Sequence, residues 1–168
     1  SASELKQIRK LKKGLLGLFH DVDFNYVIDR EEISEMKSQP SLEDMTKRAI
    51  DLLSESPTGF FLMVEGALID HAAHQHDVSA MALEVVDFDR AVQAAYHFAK
   101  KRGDTLVLVT ADHETGGLTP SEATRHDILR KLKVSAAYIS REIKKKSFEK
   151  EALKDIFKSR AYIEDLTD

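Results

Sequence analysis

Cysteine is absent from this sequence, which excludes disulfide staples and thiolate zinc sites alike. Any metal bound here has to be held by imidazole and carboxylate groups. A long apolar run is also missing: nothing approaches the ~20 residues that a membrane-spanning helix needs. The first residues, Ser1-Ala2-Ser3-Glu4-Leu5-Lys6, hold no apolar core of the kind a secretory leader carries, so no signal peptide is visible in them. Nor is there an excess of basic charge. The 25 Lys and Arg are outnumbered by 29 Asp and Glu, for a formal net charge of -4. That balance argues against a nucleic-acid partner, because phosphate neutralisation needs a basic surface. No internal repeat or low-complexity segment stands out.

What is present fits a soluble globular chain. Its 168 residues are 42% hydrophobic and 32% charged, enough for one domain with a real core. The pattern divides it into an irregular lead-in over 1–40, a core over 41–118 and a helical surface segment over 119–168. In the lead-in, residues 4–13 read as a short basic helix or arm, and Leu15, Leu16, Leu18 and Phe19 as a buried strand or turn. Ser41 is placed to cap a helix, with Glu43 and Asp44 in its first turn. Ser56-Pro57-Thr58-Gly59 closes that helix.

Phe60-Phe61-Leu62-Met63-Val64 is a short continuous apolar run whose length and flanking turn favour a buried strand. From Asp77 to Lys101 the period is helical, with Met81, Val85, Phe88, Val92, Ala95 and Ala99 on one stripe and Gly103 just past the end. Thr105-Leu106-Val107-Leu108-Val109-Thr110 reads as a second buried strand. Strand, helix, strand predicts a βαβ unit with parallel strands and a right-handed crossover. The expected class is therefore α/β: a mostly parallel sheet flanked by helices, with a helical C-terminal tail. Thr119-Pro120-Ser121-Glu122 reads as a capping box opening that tail, with helices expected near 120–132, 135–146 and 147–158.

The chemistry-bearing residues follow both expected strands. Glu65, Asp70 and His74 come after the first, and Asp112 and His113 after the second. In an open α/β sheet, ligands bind beyond the carboxyl ends of the strands, so the two groups should converge. Imidazole and carboxylate suit zinc, and an all-oxygen set suits magnesium. Asp70 and His74, four apart, face one way on a helical turn. Asp112 and His113 point apart unless the backbone bends between them. Each group also has a plainer reading. An isolated Asp-His pair after a strand is more often a helix cap or a solvated loop, and Asp70 alone could accept backbone hydrogen bonds. Glu65 is harder to dismiss, since an unpaired carboxylate beside a buried strand is costly. His71 is expected just behind the ligands; His76 is nearby. His20, His97 and His126 read as surface or packing residues, and residues 141–146 as a solvated helix face.

These motifs have a family resemblance. Phe60-Phe61-Leu62-Met63-Val64-Glu65-Gly66 with Asp70 and His74, and Thr110-Ala111-Asp112-His113-Glu114-Thr115-Gly116-Gly117, resemble the alkaline phosphatase family. The strong likeness runs over about 40–118, with Gly17-Leu18-Phe19, Tyr26 and Asp29-Arg30 as a weaker continuation. The resemblance implies two zinc ions and one magnesium ion. Glu65 matches the magnesium ligand. Asp70 and His74 match ligands of the first zinc, which activates the water that cleaves the phosphoenzyme. Asp112 and His113 match ligands of the second, which holds the nucleophilic serine. Phosphate monoesters are the implied substrates, through a phosphoserine intermediate, in a periplasmic or secreted protein that is often a homodimer.

Nothing in residues 1–59 resembles the family's nucleophile segment, so no catalytic nucleophile is expected in this chain. Nor does His126 match the context of the family's third zinc-binding histidine. The chain reads as a middle or C-terminal piece of such an enzyme, inactive alone. Two alternatives remain: another enzyme of the same superfamily, such as a phosphomutase or sulfatase, and a non-catalytic metal-binding or scaffold module.

Overall fold

The structure, a computed structural model, describes residues 1–10, 14–146 and 149–160. Its elements are all helical: α1 (Ala2–Gln7), α2 (Val27–Glu32), a 3-10 turn (Ser34–Met36), α3 (Leu42–Leu53), α4 (Ala67–His74), α5 (Val78–Arg102), α6 (His126–Leu129), α7 (Ala136–Lys145) and α8 (Lys150–Arg160). Of the expected arm over 4–13, residues 11–13 lie outside the described residues, as do 147–148 and 161–168 of the expected tail.

The long helix α5 organises the molecule, packing against α2, α3 and α4. Its ends are set locally. The Asp77 side chain accepts the Ala80 N–H, and Gly103 closes the helix in the left-handed region at φ 75°, where a side chain is strained. Ser41 caps α3 by accepting the Asp44 N–H at 3.0 Å.

The expected stripe on α5 is buried at Ala99 and half-buried at Met81, Phe88, Val92 and Ala95, but Val85 is exposed, and the other buried positions are Ala80, Glu84, Asp87 and Ala91. The reason is polar. Three carboxylates at the start and on this face of α5 accept the first backbone N–H of three other helices, groups that have no intrahelical partner. Glu84 takes Val27 of α2 at 2.6 Å, Asp87 takes Leu42 of α3 at 3.4 Å, and Asp77 takes Ala136 of α7 at 2.7 Å. A negative charge is favoured at each of these positive helix ends. Arg30 pairs with Asp87 at 3.3 Å and also donates to the Pro40 carbonyl.

Asp29 extends the network. Fully buried, it accepts both the N–H and the hydroxyl of Ser135, each at 2.7 Å. Beside it, Ile33, Val134 and Tyr138 form a small apolar cluster, and Tyr26, Ile28, Ala72 and Ala80 form another.

The parallel sheet expected from the βαβ pattern is not there. Residues 60–64 and 105–110 carry no regular secondary structure, no ladder joins them, and no strand occurs among the described residues. Each keeps a period of two. Leu62, Val64, Thr105 and Val107 are half-buried, whereas Phe61 is 89% and Leu108 81% exposed. Phe60 leans on Phe98 of α5, ring centroids 6.1 Å apart. The apolar pattern specified an alternation in which every second side chain is half-covered. A crossover sets the direction and hand of two strands, not their adjacency, and a ladder needs an adjacent partner. Two smaller expectations also fail. Leu15, Leu16 and Leu18 are exposed rather than buried. No helix starts at Thr119: the Thr124 hydroxyl accepts the Ser121 N–H in a turn, and of the helix expected over 120–132 only the four-residue α6 forms.

Candidate metal-binding seam

Helix α4 positions the first pair of side chains. Gly66 precedes it, packed so tightly on α5 that a Cβ there would lie 3.0 Å from the Phe88 ring. Asp70 and His74 stand one turn apart on α4, which brings Asp70 Oδ2 to 3.7 Å from His74 Nε2. The second pair sits on the loop after residues 105–110. The chain bends at Asp112, and that bend turns two adjacent side chains toward each other. Asp112 Oδ2 lies 3.2 Å from His113 Nε2, and Asp112 Oδ1 accepts the His113 N–H.

His113 is oriented by its other nitrogen. A carbonyl only accepts, so Nδ1 must donate to the Glu114 carbonyl, 2.8 Å away. In the neutral ring this leaves the Nε2 lone pair free. The same carbonyl, with the Asp112 charge, raises the His113 pKa above its ordinary value.

Two contacts dock this loop onto α4. The Thr115 hydroxyl donates to Asp70 Oδ1 at 2.7 Å and lies 3.5 Å from His113 Nδ1. His76, just beyond α4, bonds through Nε2 to the Gly116 carbonyl at 3.2 Å, with its own backbone at φ 53°. Gly116 allows the close approach: it has φ 66°, and a Cβ on it would press the Ala73 carbonyl oxygen at 3.3 Å. The Thr115 hydroxyl is the main influence lowering the Asp70 pKa, helped by the charges of His74, His113 and His71.

Glu65 and His71 face elsewhere. Glu65 is exposed and lines a cleft of about 290 Å³ together with His71, Arg30, Glu84 and Asp87. His71 Nδ1 is 3.8 Å from Asp23 Oδ2. The cost of a buried carboxylate, which made Glu65 notable in the sequence, therefore does not arise here. Among the described residues no three His, Asp or Glu side chains converge as a metal cage; the acid–imidazole groups meet in twos. Sequence reasoning missed Thr115 and His76 as links, and neither has a signal beyond sitting near the Asp-His motifs. It also missed Glu84 and Asp87, whose signal was two acids at helical spacing on a face otherwise lined by alanines.

Imidazole and carboxylate in close pairs, without sulfur, form the donor set of proteins that hold zinc or magnesium. The family model for alkaline phosphatase matches residues 1–157, and this chain belongs to the alkaline phosphatase family. Alkaline phosphatase 4 of Bacillus subtilis (strain 168) is 49% identical over 116 residues, 68% of this chain and 24% of that protein. The alkaline phosphatase of Escherichia coli (strain K12) is 43% identical over 119 residues, 61% of this chain and 25% of that protein. A cold-active alkaline phosphatase from the psychrophile Shewanella sp. superposes with a TM-score of 0.79 at 27% identity, covering 99% of this chain and 40% of that one. The chain thus spans about a quarter of the length of these two curated relatives.

Proposed function

We propose that this chain supplies part of the divalent-metal site of a phosphate monoester hydrolase, with Asp70 and His74 as ligands of one zinc ion, Asp112 and His113 of a second, and Glu65 of a magnesium ion. The observation that carries the reading is the spacing within each pair. Bonds of about 2.0–2.2 Å to a tetrahedral zinc put neighbouring ligand atoms about 3.3–3.6 Å apart. The separations of 3.7 Å and 3.2 Å bracket that range, so the donor sets fit zinc. Glu65 is an exposed oxygen ligand beside the acid-lined cleft, which suits magnesium. When bound, such ions supply Lewis-acid polarisation of the phosphoryl oxygens.

The chain's own residues hold the ligands ready. Helix α4 fixes one pair, the bend at Asp112 fixes the other, and the Glu114 carbonyl sets the His113 tautomer, the kind of outer hydrogen bond that orients a metal-binding imidazole. A covalent phosphoserine route needs an activated serine, and no serine of this chain stands in the family's nucleophile context. That group comes from elsewhere in the intact enzyme, which by resemblance works in the periplasm or outside the cell, often as a homodimer.

The test is calorimetric titration with zinc. With two ligands per ion the chain should bind weakly, and His113→Ala should weaken binding further, by more than about tenfold. Equal affinity in the two proteins would overturn the ligand assignment. In parallel, the chain alone with zinc and magnesium should not hydrolyse a p-nitrophenyl phosphate ester. Turnover abolished by a chelator would show that it carries its own nucleophile.

A further inference from the structure

A groove of about 430 Å³ opens between α7 and α8. Ala136, Ile139, Ser140, Ile143 and Lys144 of α7 line it, and Phe157 is the contribution of α8. The α7 positions recur at spacings of three and four, so they share one face of that helix. Although α8 packs against α7, Ile139 and Ile143 stay only half-buried. Ile139 also packs on the cluster of Ile33, Val134 and Tyr138, so the groove is continuous with the apolar core.

The charge around it suits an acidic occupant. Together α7 and α8 carry seven bases and three acids. Lys145 and Lys146 are paired, with Glu142 and Asp155. Lys144, in the lining itself, is exposed and has no ion-pair partner among the described residues. On α8, Lys154 and Arg160 stand one turn before and one turn after Phe157.

The segment that follows α8 answers both features. Ala161-Tyr162-Ile163-Glu164-Asp165-Leu166-Thr167-Asp168 holds three acids and no base, with Tyr162, Ile163 and Leu166 among them. We propose that residues 161–168 are the occupant of the α7–α8 groove, laying apolar side chains on Ile139, Ile143 and Phe157 and a carboxylate on Lys144. Docked in this way, the segment clasps α7 to α8.

Reach is not limiting. From Ala136 to Lys144 the lining covers about 12 Å of helix, and eight residues extend to about 26 Å. The segment starts one turn after Phe157, which is already in the lining. So short a tether gives an effective concentration in the roughly millimolar range. An occupant from the same chain therefore outcompetes one from a second copy in dilute protein.

Two measurements on the full chain test this. Carbodiimide coupling joins an amine to a carboxylate without a spacer, so it reports direct contact. Peptide mapping of the coupled monomer should find Lys144 joined to Glu164, Asp165 or Asp168. Hydrogen exchange is the second readout. With Ile163→Asp and Leu166→Asp combined, the amides of Ser140 to Lys144 should exchange at least about fivefold faster, at an unchanged far-UV helical signal. Should that variant lose helical signal, Glu164→Lys takes its place at the same threshold. Coupling of Lys144 to none of the three acids overturns the proposal, and so does a smaller change in exchange. Mixing isotopically labelled with unlabelled chains identifies the source of the carboxylate. Crosslinks to Lys144 found only between the two masses would give the groove to a second copy, and that result overturns the proposal as well.

Discussion

The chain uses carboxylates in two opposite ways within a short distance along its sequence. Around α5, Asp29, Asp77, Glu84 and Asp87 are buried, and each accepts one or more hydrogen bonds from helix starts. Along the seam, Asp112 is exposed and Asp70 half-buried, and each has an oxygen facing an imidazole. The first group ties helices together. The second leaves lone pairs pointing outward. Residue type does not separate them; burial and the identity of the donor do. A buried carboxylate that accepts the N–H of another helix start is committed to the fold, and one beside an imidazole nearer solvent is available to a ligand.

The contrast breaks most visibly if a buried acid can be removed cheaply. Asp29→Ala strands two donors of Ser135 and deletes a desolvated, hydrogen-bonded charge; it should cost about 4 kcal/mol, read as a large fall in the urea midpoint. A cost under about 1 kcal/mol would mean that the network around α5 is incidental.

Next in size is a pH effect. Burial pushes the Glu84 carboxyl from its ordinary 4.5 to about 7, with Asp87 and Asp29 adding to the rise and the Val27 N–H and Arg30 opposing it. A raised carboxyl pKa means that the folded state holds its proton more tightly than the unfolded state. Stability is therefore greatest below about pH 4.5 as far as this group is concerned, and it falls as pH climbs through about 7. The loss is at most about 3 kcal/mol. Glu84→Gln keeps an acceptor for Val27 and should flatten that slope. An unchanged slope in the variant would assign the pH dependence to another group.

The smallest expected effect belongs to the seam. Without metal, Asp112→Ala should change stability by no more than about 0.5 kcal/mol, since exposed charge pairs contribute little. A cost approaching that of Asp29→Ala would erase the distinction between the two sets of acids.

Much of the helical layer was legible in advance. Ser41, Asp77 and Gly103 mark helix ends by local chemistry, and local chemistry is what a sequence displays. The pairs also announced themselves: Asp70 and His74 by their spacing, Asp112 and His113 by the motif they share with known phosphatases. The sheet was misjudged because residues 60–64 and 105–110 record only a preference for extended backbone, whereas pairing depends on neighbours far away in sequence. The stripe on α5 was misjudged in part, because Val85 looks like core and is exposed, whereas Glu84 and Asp87 do not and are buried. Their burial follows from three helix starts arriving from distant parts of the chain. Thr115 stayed hidden for a similar reason: its partner, Asp70, lies 45 residues earlier.

The alternating exposure of residues 60–64 and 105–108 has a colloidal consequence. Phe61, Met63, Leu106 and Leu108 stand in solvent on backbone that no ladder occupies among the described residues. Two such ribbons are templates on which another molecule can lay down a strand, and a net charge of only -4 gives little long-range repulsion to prevent it. Light scattering from the isolated chain should rise steeply with concentration. A lysine placed at Phe61 or Leu108 should act as a gatekeeper and raise the concentration at which it stays clear. The residues that lead the backbone up to the acid–imidazole pairs are thus also the ones that set how much of this protein can be kept in a tube.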